Sequence, residues 1–152
     1  MASLDDLDRK ILRRLQQDCE VSLDALAKEV GSTKTPVWNR IQKMRKNGVI
    51  RREVALVDPA AVGLGETFFV AVRTSRHDDD WLKAFTKAVR AIPEILEAHR
   101  LTGEIDYLLK VQVAGTADFD RVYRDLIGRI SLYNVTSSLS METIKSTTAL
   151  KI

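Results

Sequence analysis

The sequence of 152 residues has one cysteine and no long apolar run, and each of these shortages excludes a class of protein. A single cysteine cannot build an intrachain disulfide framework or a cysteine-rich zinc site. No apolar stretch approaches the roughly 20 residues of a transmembrane helix. The N-terminus has no basic start followed by an apolar segment, so we expect no signal peptide, no membrane partner and a cytoplasmic location.

Signatures of catalysis and of metal binding are also scarce. His77 and His99 are the only histidines, and the sequence shows no Ser/His/Asp set, no metal-ligand cluster and no phosphate-binding glycine loop. We therefore expect no cofactor and no metal, and an enzyme with a ferredoxin-like catalytic domain is a disfavoured alternative. Cys19 is interpreted as a free thiol in a reducing compartment, with a redox-sensing role as the open alternative.

Charge is distributed unevenly along the chain. Residues 1–52 contain 12 Lys or Arg and 7 Asp or Glu, whereas residues 53–152 contain 12 and 14. Residues 34–52 contain seven basic residues and no acid. This asymmetry favours a first third that binds a polyanion and a remainder with a different task.

The basic segment coincides with a predicted amphipathic helix over residues 32–48. Val37, Ile41 and Met44 recur at helical spacing and form a stripe that should pack inward. Ser32 and Thr33 offer side-chain oxygens for an N-cap, and Gly48 suits the position just after the last turn. A short cationic helix with a polar outer face fits the major groove of DNA.

Two shorter amphipathic helices precede this one, the first ending before Asp18 and the second running from Ser22 to a stop at Gly31. Three helices with a tight last connection predict a helix-turn-helix, winged or not, in residues 1–52. A three-helix bundle without DNA contact is the alternative. The candidate DNA-contacting residues are Thr33, Lys34, Thr35, Trp38, Asn39, Arg40, Gln42, Lys43, Arg45 and Arg51.

These candidates divide by chemistry. We expect four cations to contact phosphates, namely Arg40, Lys43, Arg45 and Arg51. The amide of Asn39 matches the N6 and N7 atoms of adenine, and we expect other groove contacts from Thr35, Trp38 and Gln42.

Residues 53–65 predict a hinge. Residues 53–57 are a short strand candidate that Asp58 and Pro59 interrupt, and one proline and two glycines between residues 59 and 65 mark a domain boundary.

Residues 66–152 show an α+β pattern with the order β-α-β-β-α-β. Strands are predicted over residues 67–74, 95–101, 106–113 and 134–145, with helices that follow Asp78 and Gly115. This order is typical of a ferredoxin-like domain, in which two helices cover one face of a four-stranded antiparallel sheet. The other face would expose Phe69 and Ala71, and such a patch favours association into at least a dimer.

A helix-turn-helix followed by this unit in about 150 residues resembles the Lrp/AsnC family of transcription regulators, whose second domain is also described as RAM-like or ACT-like. Six stretches carry the resemblance, in order along nearly the whole chain. They are residues 4–12, 35–41, 48–51, 93–95, 102–109 and 145–150. Residues 16–19, 35–38 and 136–145 are similar to the cysteine-responsive branch of that family.

The resemblance implies dimers whose sheets face each other, often four dimers in an octameric ring, and an amino-acid effector bound between dimers near the turn at residues 102–106. Glycine at position 103 would let backbone N–H groups approach a carboxylate, and Glu104 or Asp106 would pair with an ammonium. Ordinary hairpin chemistry is the alternative for this turn. The candidate effector-binding residues are Thr102, Gly103, Glu104, Asp106, Tyr107, Ser138 and Ser140.

The function predicted is therefore a sequence-specific, DNA-binding regulator of amino-acid metabolism that responds to a small effector. An architectural DNA-binding protein without a small-molecule site is the alternative.

Overall fold

Three helices form the N-terminal part of the computed structural model, which describes residues 3–152. Helix α1 spans Asp6–Leu15, α2 spans Leu23–Glu29 and α3 spans Lys34–Lys46. Side-chain caps begin the first two helices, because Asp5 accepts a hydrogen bond from the N–H of Asp8 and Ser22 accepts one from Ala25. The order and spacing confirm the predicted helix-turn-helix.

Helix α3 buries the stripe that its sequence predicts, with Val37, Ile41 and Met44 all in the core of the three helices. The predicted side-chain cap is wrong, since Thr33 occupies the N-cap position without making that hydrogen bond. The C-terminal end follows expectation. Gly48 adopts a φ of 72°, and the N–H of Val49 donates to the carbonyl of Met44 at 2.9 Å.

The strand predicted at residues 53–57 does not form. These residues are exposed and pair with no strand of the described chain, so no ladder of backbone hydrogen bonds defines them as a strand. The three helices consequently carry no β wing within the described residues. A 3₁₀ turn at Ala60–Val62 follows, and Gly63 ends it.

A four-stranded antiparallel sheet and two helices make up the second part of the chain. The elements are β1 (Glu66–Arg73), α4 (Asp79–Arg90), β2 (Ile95–Arg100), β3 (Tyr107–Val113), α5 (Thr116–Arg129) and β4 (Asn134–Leu139). The strand order β2-β3-β1-β4 confirms the ferredoxin-like arrangement. Strand β4 is shorter than predicted, since regular pairing with β1 ends at Leu139.

The two helices cover one face of this sheet. Alternate residues of β1 and β3 meet aromatic side chains of α4, among them Phe85 and Trp81, whose indole N–H donates to the carbonyl of Ser131 at 3.1 Å. The buried apolar strand residues on this face are Phe68, Val70, Val72, Tyr107, Leu109, Val111 and Val113. On the opposite face Phe69 is 40% exposed, beside Ala71, as the alternation predicts.

The chain divides into two compact units. The second comprises Val57–Thr143, and the first runs to Leu56 and also includes Ile144–Ile152. The change of unit near residue 56 lies within the predicted hinge. The last nine residues differ from the predicted domain 66–152, because Ile152 packs on the core of the three helices and Gln16 hydrogen-bonds to Leu150.

Candidate nucleic-acid interface and effector turn

The outer face of α3 is polar and accessible. Thr35, Asn39 and Lys43 are exposed, Gln42 is half-buried, and the side chain of Trp38 is 51% exposed. These positions alternate at helical spacing with the buried stripe, so packing of the stripe against α1 and α2 forces them outward. An exposed indole flanked by amide and ammonium groups offers donors, acceptors and apolar surface together, as a groove contact requires.

The first turn of α3 has the features of an anion-binding helix N-terminus. It contains no acid, Pro36 has no N–H, and the hydroxyl of Thr33 does not cap the helix. The first backbone N–H groups of any helix lack intrahelical partners and carry the positive end of its dipole. Without a protein cap, this turn can accept an oxygen of a phosphate.

The cations among the candidate DNA-contacting residues differ in their availability. Lys34 pairs with Asp24 at 2.5 Å, and Arg45 pairs with Glu53 at 2.6 Å, both as exposed ion pairs. Exposed pairs are weak and exchange readily for another anion.

Arg40 is engaged much more strongly within the unit. One guanidinium nitrogen, Nη1, donates to Asp5 at 2.6 Å and to Asp8 at 2.8 Å, and both acids belong to the capping box of α1. The hydrogen bond from the N–H of Asp8 and the guanidinium of Arg40 lower the pKa of Asp5. The two carboxylates raise the pKa of Arg40. The side chain of Arg40 therefore joins α3 to α1, and the predicted phosphate contact would have to replace these two hydrogen bonds.

Four other cations of the acid-free segment, residues 34–52, make no ion pair with any residue between 3 and 152. They are Lys43 and Arg51, which the sequence-based candidates include, and Lys46 and Arg52, which they omit. All four are exposed. The signal for the omitted pair was present in the sequence, since both belong to the acid-free run.

The turn between β2 and β3 exposes part of the predicted effector site. Thr102, Gly103 and Glu104 are exposed, and Gly103 has a φ of 127°, a conformation that side-chain-bearing residues rarely adopt. The space around this position does not require glycine, since an added Cβ would meet no atom within 4 Å. The backbone angle alone therefore favours glycine here.

Two other predicted effector residues are used inside the fold. A carboxylate oxygen of Asp106 accepts the N–H of Thr74 at 2.8 Å, and the N–H of Asp106 donates to the carbonyl of Val72 at 3.1 Å. Tyr107 is buried, with its ring centroid 4.5 Å from that of Phe85. Both residues therefore fix the turn to the sheet, as hairpin chemistry does.

Ser138 and Ser140 lie elsewhere on the sheet. Ser138 pairs with Phe69 of β1, whereas Tyr107 pairs with Val72 of the same strand. Three residues of β1 separate these two positions, which corresponds to about 10 Å at the rise of a strand. The N–H of Ser140 donates to the carbonyl of Thr67 at 2.8 Å, further still along β1. Within one chain the structure does not bring these hydroxyls together with the turn.

The remaining reactive side chains form no site of their own. Cys19 is an exposed free thiol, and His99 is exposed and hydrogen-bonded to Glu97 at 3.2 Å. Residues 3–152 contain no group of three side chains placed to hold a metal ion. No helix in this range has the length and apolarity needed to cross a membrane.

Comparison with known proteins assigns both units. Residues 4–45 match the AsnC-type helix-turn-helix domain, and residues 67–150 match the Lrp/AsnC ligand-binding domain. The chain belongs to the Lrp/AsnC family. Members of this family are DNA-binding transcription regulators, and the exposed polar face of α3 lies in the matched helix-turn-helix.

Relatives of known role agree with this assignment. The chain is 45% identical to the DNA-binding transcriptional activator DecR of Escherichia coli K12, over 98% of this chain and 99% of that protein. It is 42% identical to the glutamate uptake regulatory protein of Zymomonas mobilis, over 98% and 91%. This Lrp/AsnC protein is a DNA-binding transcriptional regulator.

Solved structures share the whole architecture. An AsnC family regulator from Agrobacterium tumefaciens is 48% identical, with a TM-score of 0.94 and coverage of 97% of both chains. A transcriptional regulator from Neisseria meningitidis, solved in complex with L-methionine, is 32% identical, with a TM-score of 0.92 and coverage of 98% of this chain and 97% of the other.

The link between Arg40 and α1 predicts an acid sensitivity of the first unit. Because the pKa of Asp5 is lowered in the folded state, its stabilising contribution is complete above the ordinary aspartate range and is lost as the pH falls through the folded value. Asp5→Asn should keep the N-cap, remove the charge and flatten the loss of thermal stability between pH 6 and pH 3.

The matched control is Asp6→Asn, because Asp6 makes no side-chain hydrogen bond or ion pair with residues 3–152. Thermal midpoints of the wild type and both variants, measured across the pH range, test the assignment. Equal flattening by the two substitutions would contradict it.

Proposed function

We propose that this regulator reads promoter DNA with the outer face of α3, assembles through the uncovered face of its sheet, and responds to an amino acid bound at the turn between β2 and β3. The observation that carries the DNA-reading role is the separation of α3 into a fully buried apolar stripe and an exposed polar, cationic face. The genes proposed as targets belong to amino-acid metabolism, in keeping with the glutamate uptake regulatory protein among its relatives.

Phosphate contacts fall to the unpaired cations. Lys43, Lys46, Arg51 and Arg52 can approach a phosphate without breaking an internal ion pair of the described chain. Lys34 and Arg45 would exchange a weak exposed pair for the same contact. For Arg40 the exchange would separate two short hydrogen bonds, so we propose that it positions α3 and does not bind DNA.

Base contacts fall to the centre of the exposed face. Asn39 is exposed at the middle of α3. Its side-chain amide can donate to N7 of adenine and accept from the N6 amino group, the bidentate contact that asparagine favours. Thr35, Trp38 and Gln42 surround it at helical spacing and complete the groove contacts. Thr33 stands at the entry to the helix, where the uncapped N–H groups would meet the backbone of the DNA.

Self-association follows from the bare sheet face. Phe69 lies between Lys110 on β3 and Ser138 on β4, and Ala71 lies beside Leu108, so an apolar centre is bordered by polar groups. This composition is typical of an interface core with a polar rim. We propose a dimer formed by two such faces, and an octamer of four dimers as the family resemblance implies.

The effector proposal rests on the exposed part of the turn. Glu104 is exposed and makes no ion pair with residues 3–152, so its carboxylate is available for the ammonium of an amino acid. Thr102 and the backbone at Gly103 are available for the carboxylate. Asp106 and Tyr107 anchor the turn to the sheet. Ser138 and Ser140 could contact an effector at this turn only from a neighbouring subunit.

The proposed base and phosphate contacts predict different effects for substitutions at Asn39 and Lys43, which lie about one turn apart on α3. Asn39→Ala should reduce discrimination at one base position by about 1–3 kcal/mol, since a bidentate contact is lost. Lys43→Ala should weaken binding to all duplexes alike and reduce the slope of log K against log salt by about 1. Lys10→Ala on α1 is the charge-matched control.

Selection from a random-sequence duplex pool, followed by titrations at several salt concentrations, separates the two effects. An unchanged base preference for Asn39→Ala would contradict the reading role. A sequence-dependent loss for Lys43→Ala would contradict its phosphate role.

The sheet interface predicts that Phe69→Lys converts the protein to monomers, because a buried unpaired ammonium is costly and the apolar centre is lost. Phe69→Leu, which keeps the apolar character, should remain associated. Light scattering coupled to gel filtration measures the mass, and circular dichroism verifies that both variants are folded. A Phe69→Lys protein with wild-type mass would place the interface elsewhere.

The effector proposal predicts that at least one amino acid raises the thermal midpoint of the protein, with L-methionine as the first compound. Glu104→Gln should abolish this shift by removing the charge that pairs with the ammonium, whereas Glu142→Gln should leave it intact. A shift that survives Glu104→Gln would exclude the turn as the site. No shift with any of the twenty amino acids would favour the architectural alternative.

A further inference from the structure

The final residues of the chain dock on α1 through backbone hydrogen bonds. The side-chain amide of Gln16 accepts the N–H of Leu150 at 2.7 Å and donates to the carbonyl of Leu150 at 3.2 Å. The guanidinium of Arg13 donates to the backbone oxygen of Ile152 at 2.8 Å. One side-chain amide thus satisfies both backbone polar groups of a single residue, as the opposite residue of a hydrogen-bonded strand pair would do.

The docked part of the segment is short. Ile152 packs against the core cluster of the three helices, whereas the side chain of Leu150 is 72% exposed and that of Ile144 is 90% exposed. The N–H of Ala149 donates to the hydroxyl of Thr147 at 3.1 Å, which turns the chain just before the contact. The attachment therefore consists of two side chains of α1 and one apolar side chain at position 152.

Residues of the same type near Gln16 and Arg13 do not make this contact. Gln17 follows Gln16 directly, yet its side chain makes no hydrogen bond with residues 3–152, and the same is true of Arg9, one turn before Arg13. Arg13 and Gln16 lie three residues apart and so share one face of α1, at its C-terminal end.

Helix α1 is also the helix to which α3 is joined. Asp5 and Asp8, at the opposite end of α1, hold Arg40 of α3. Contacts at both ends of α1 thus connect residues 149–152 to the helix that carries the exposed polar face.

We propose that residues 149–152 are an intramolecular strap that seats on Arg13 and Gln16 and holds α1, and through Arg40 also α3, in the arrangement that binds DNA. The proposal rests on the DNA-binding role of α3. Because the strap continues the chain after β4, it gives α1 a second and noncovalent connection to that part of the chain, besides the covalent connection through residues 53–65.

The experiment compares Gln16→Ala with Gln17→Ala in the full chain. Hydrogen exchange of the Leu150 amide should accelerate about two- to tenfold or more in Gln16→Ala, as expected for loss of one or two net hydrogen bonds, and should stay at the wild-type rate in Gln17→Ala. Gln16→Glu keeps the acceptor for Leu150 and should retain most of the protection, which a general weakening of α1 would not do.

Binding of duplex DNA provides the second readout. Gln16→Ala should weaken binding to selected and random duplexes by the same few-fold factor with an unchanged salt slope, because no phosphate contact is removed. Gln17→Ala should bind as the wild type does. An altered salt slope for Gln16→Ala would mean direct contact with DNA and would overturn the positioning role.

Three results would overturn the strap. They are wild-type exchange of Leu150 in Gln16→Ala, wild-type DNA affinity of Gln16→Ala despite faster exchange, and protection of Leu150 that disappears on dilution to monomer, which would show docking onto a second copy. Failure of the proposed DNA reading is recognised separately, since the wild type itself would then show no preference among duplexes while the exchange result still tests the seat on α1.

Discussion

Burial of one apolar stripe on α3 is the constraint on which the DNA-binding unit depends. Val37, Ile41 and Met44 can reach the core only in one rotation of the helix about its axis, and that rotation points Trp38 and Asn39 away from the protein. The exposed polar face of α3 therefore needs no contacts of its own to be oriented. It is exposed because the opposite face is buried, and its composition can be adapted to DNA at little cost in folding stability.

Ion pairing then decides which cations this face can offer. Seven basic residues occupy the segment from residue 34 to residue 52, but three of them have acidic partners within the unit. Their four acidic partners all lie outside the segment and are Asp5, Asp8, Asp24 and Glu53. The positive charge is consequently of three kinds. Arg40 joins α3 to α1, Lys34 and Arg45 make weak exposed ion pairs, and the other four cations remain available to a polyanion.

In the second unit, too, burial of one face determines which face is exposed. Two helices cover one face of the sheet, and the alternation along β1 leaves Phe69 on the other. The turn between β2 and β3 is anchored by Asp106 and by the buried ring of Tyr107, so its exposed tip can change without loss of the fold. A bare apolar face and an anchored, accessible turn are suited to assembly and to ligand binding respectively.

The amino-acid sequence by itself determined the element order, the buried stripes and the basic character of α3, because helical and strand periodicities and net charge are local properties of the chain. Only the tertiary structure decided that Arg40 serves the packing of α1, that Asp106 and Tyr107 support the turn, and that residues 53–57 have no strand partner. It alone also brought residues 149–152 to Gln16. Each of these depends on pairing between residues far apart in sequence, and no local pattern encodes which distant partner a polar group will meet in the fold.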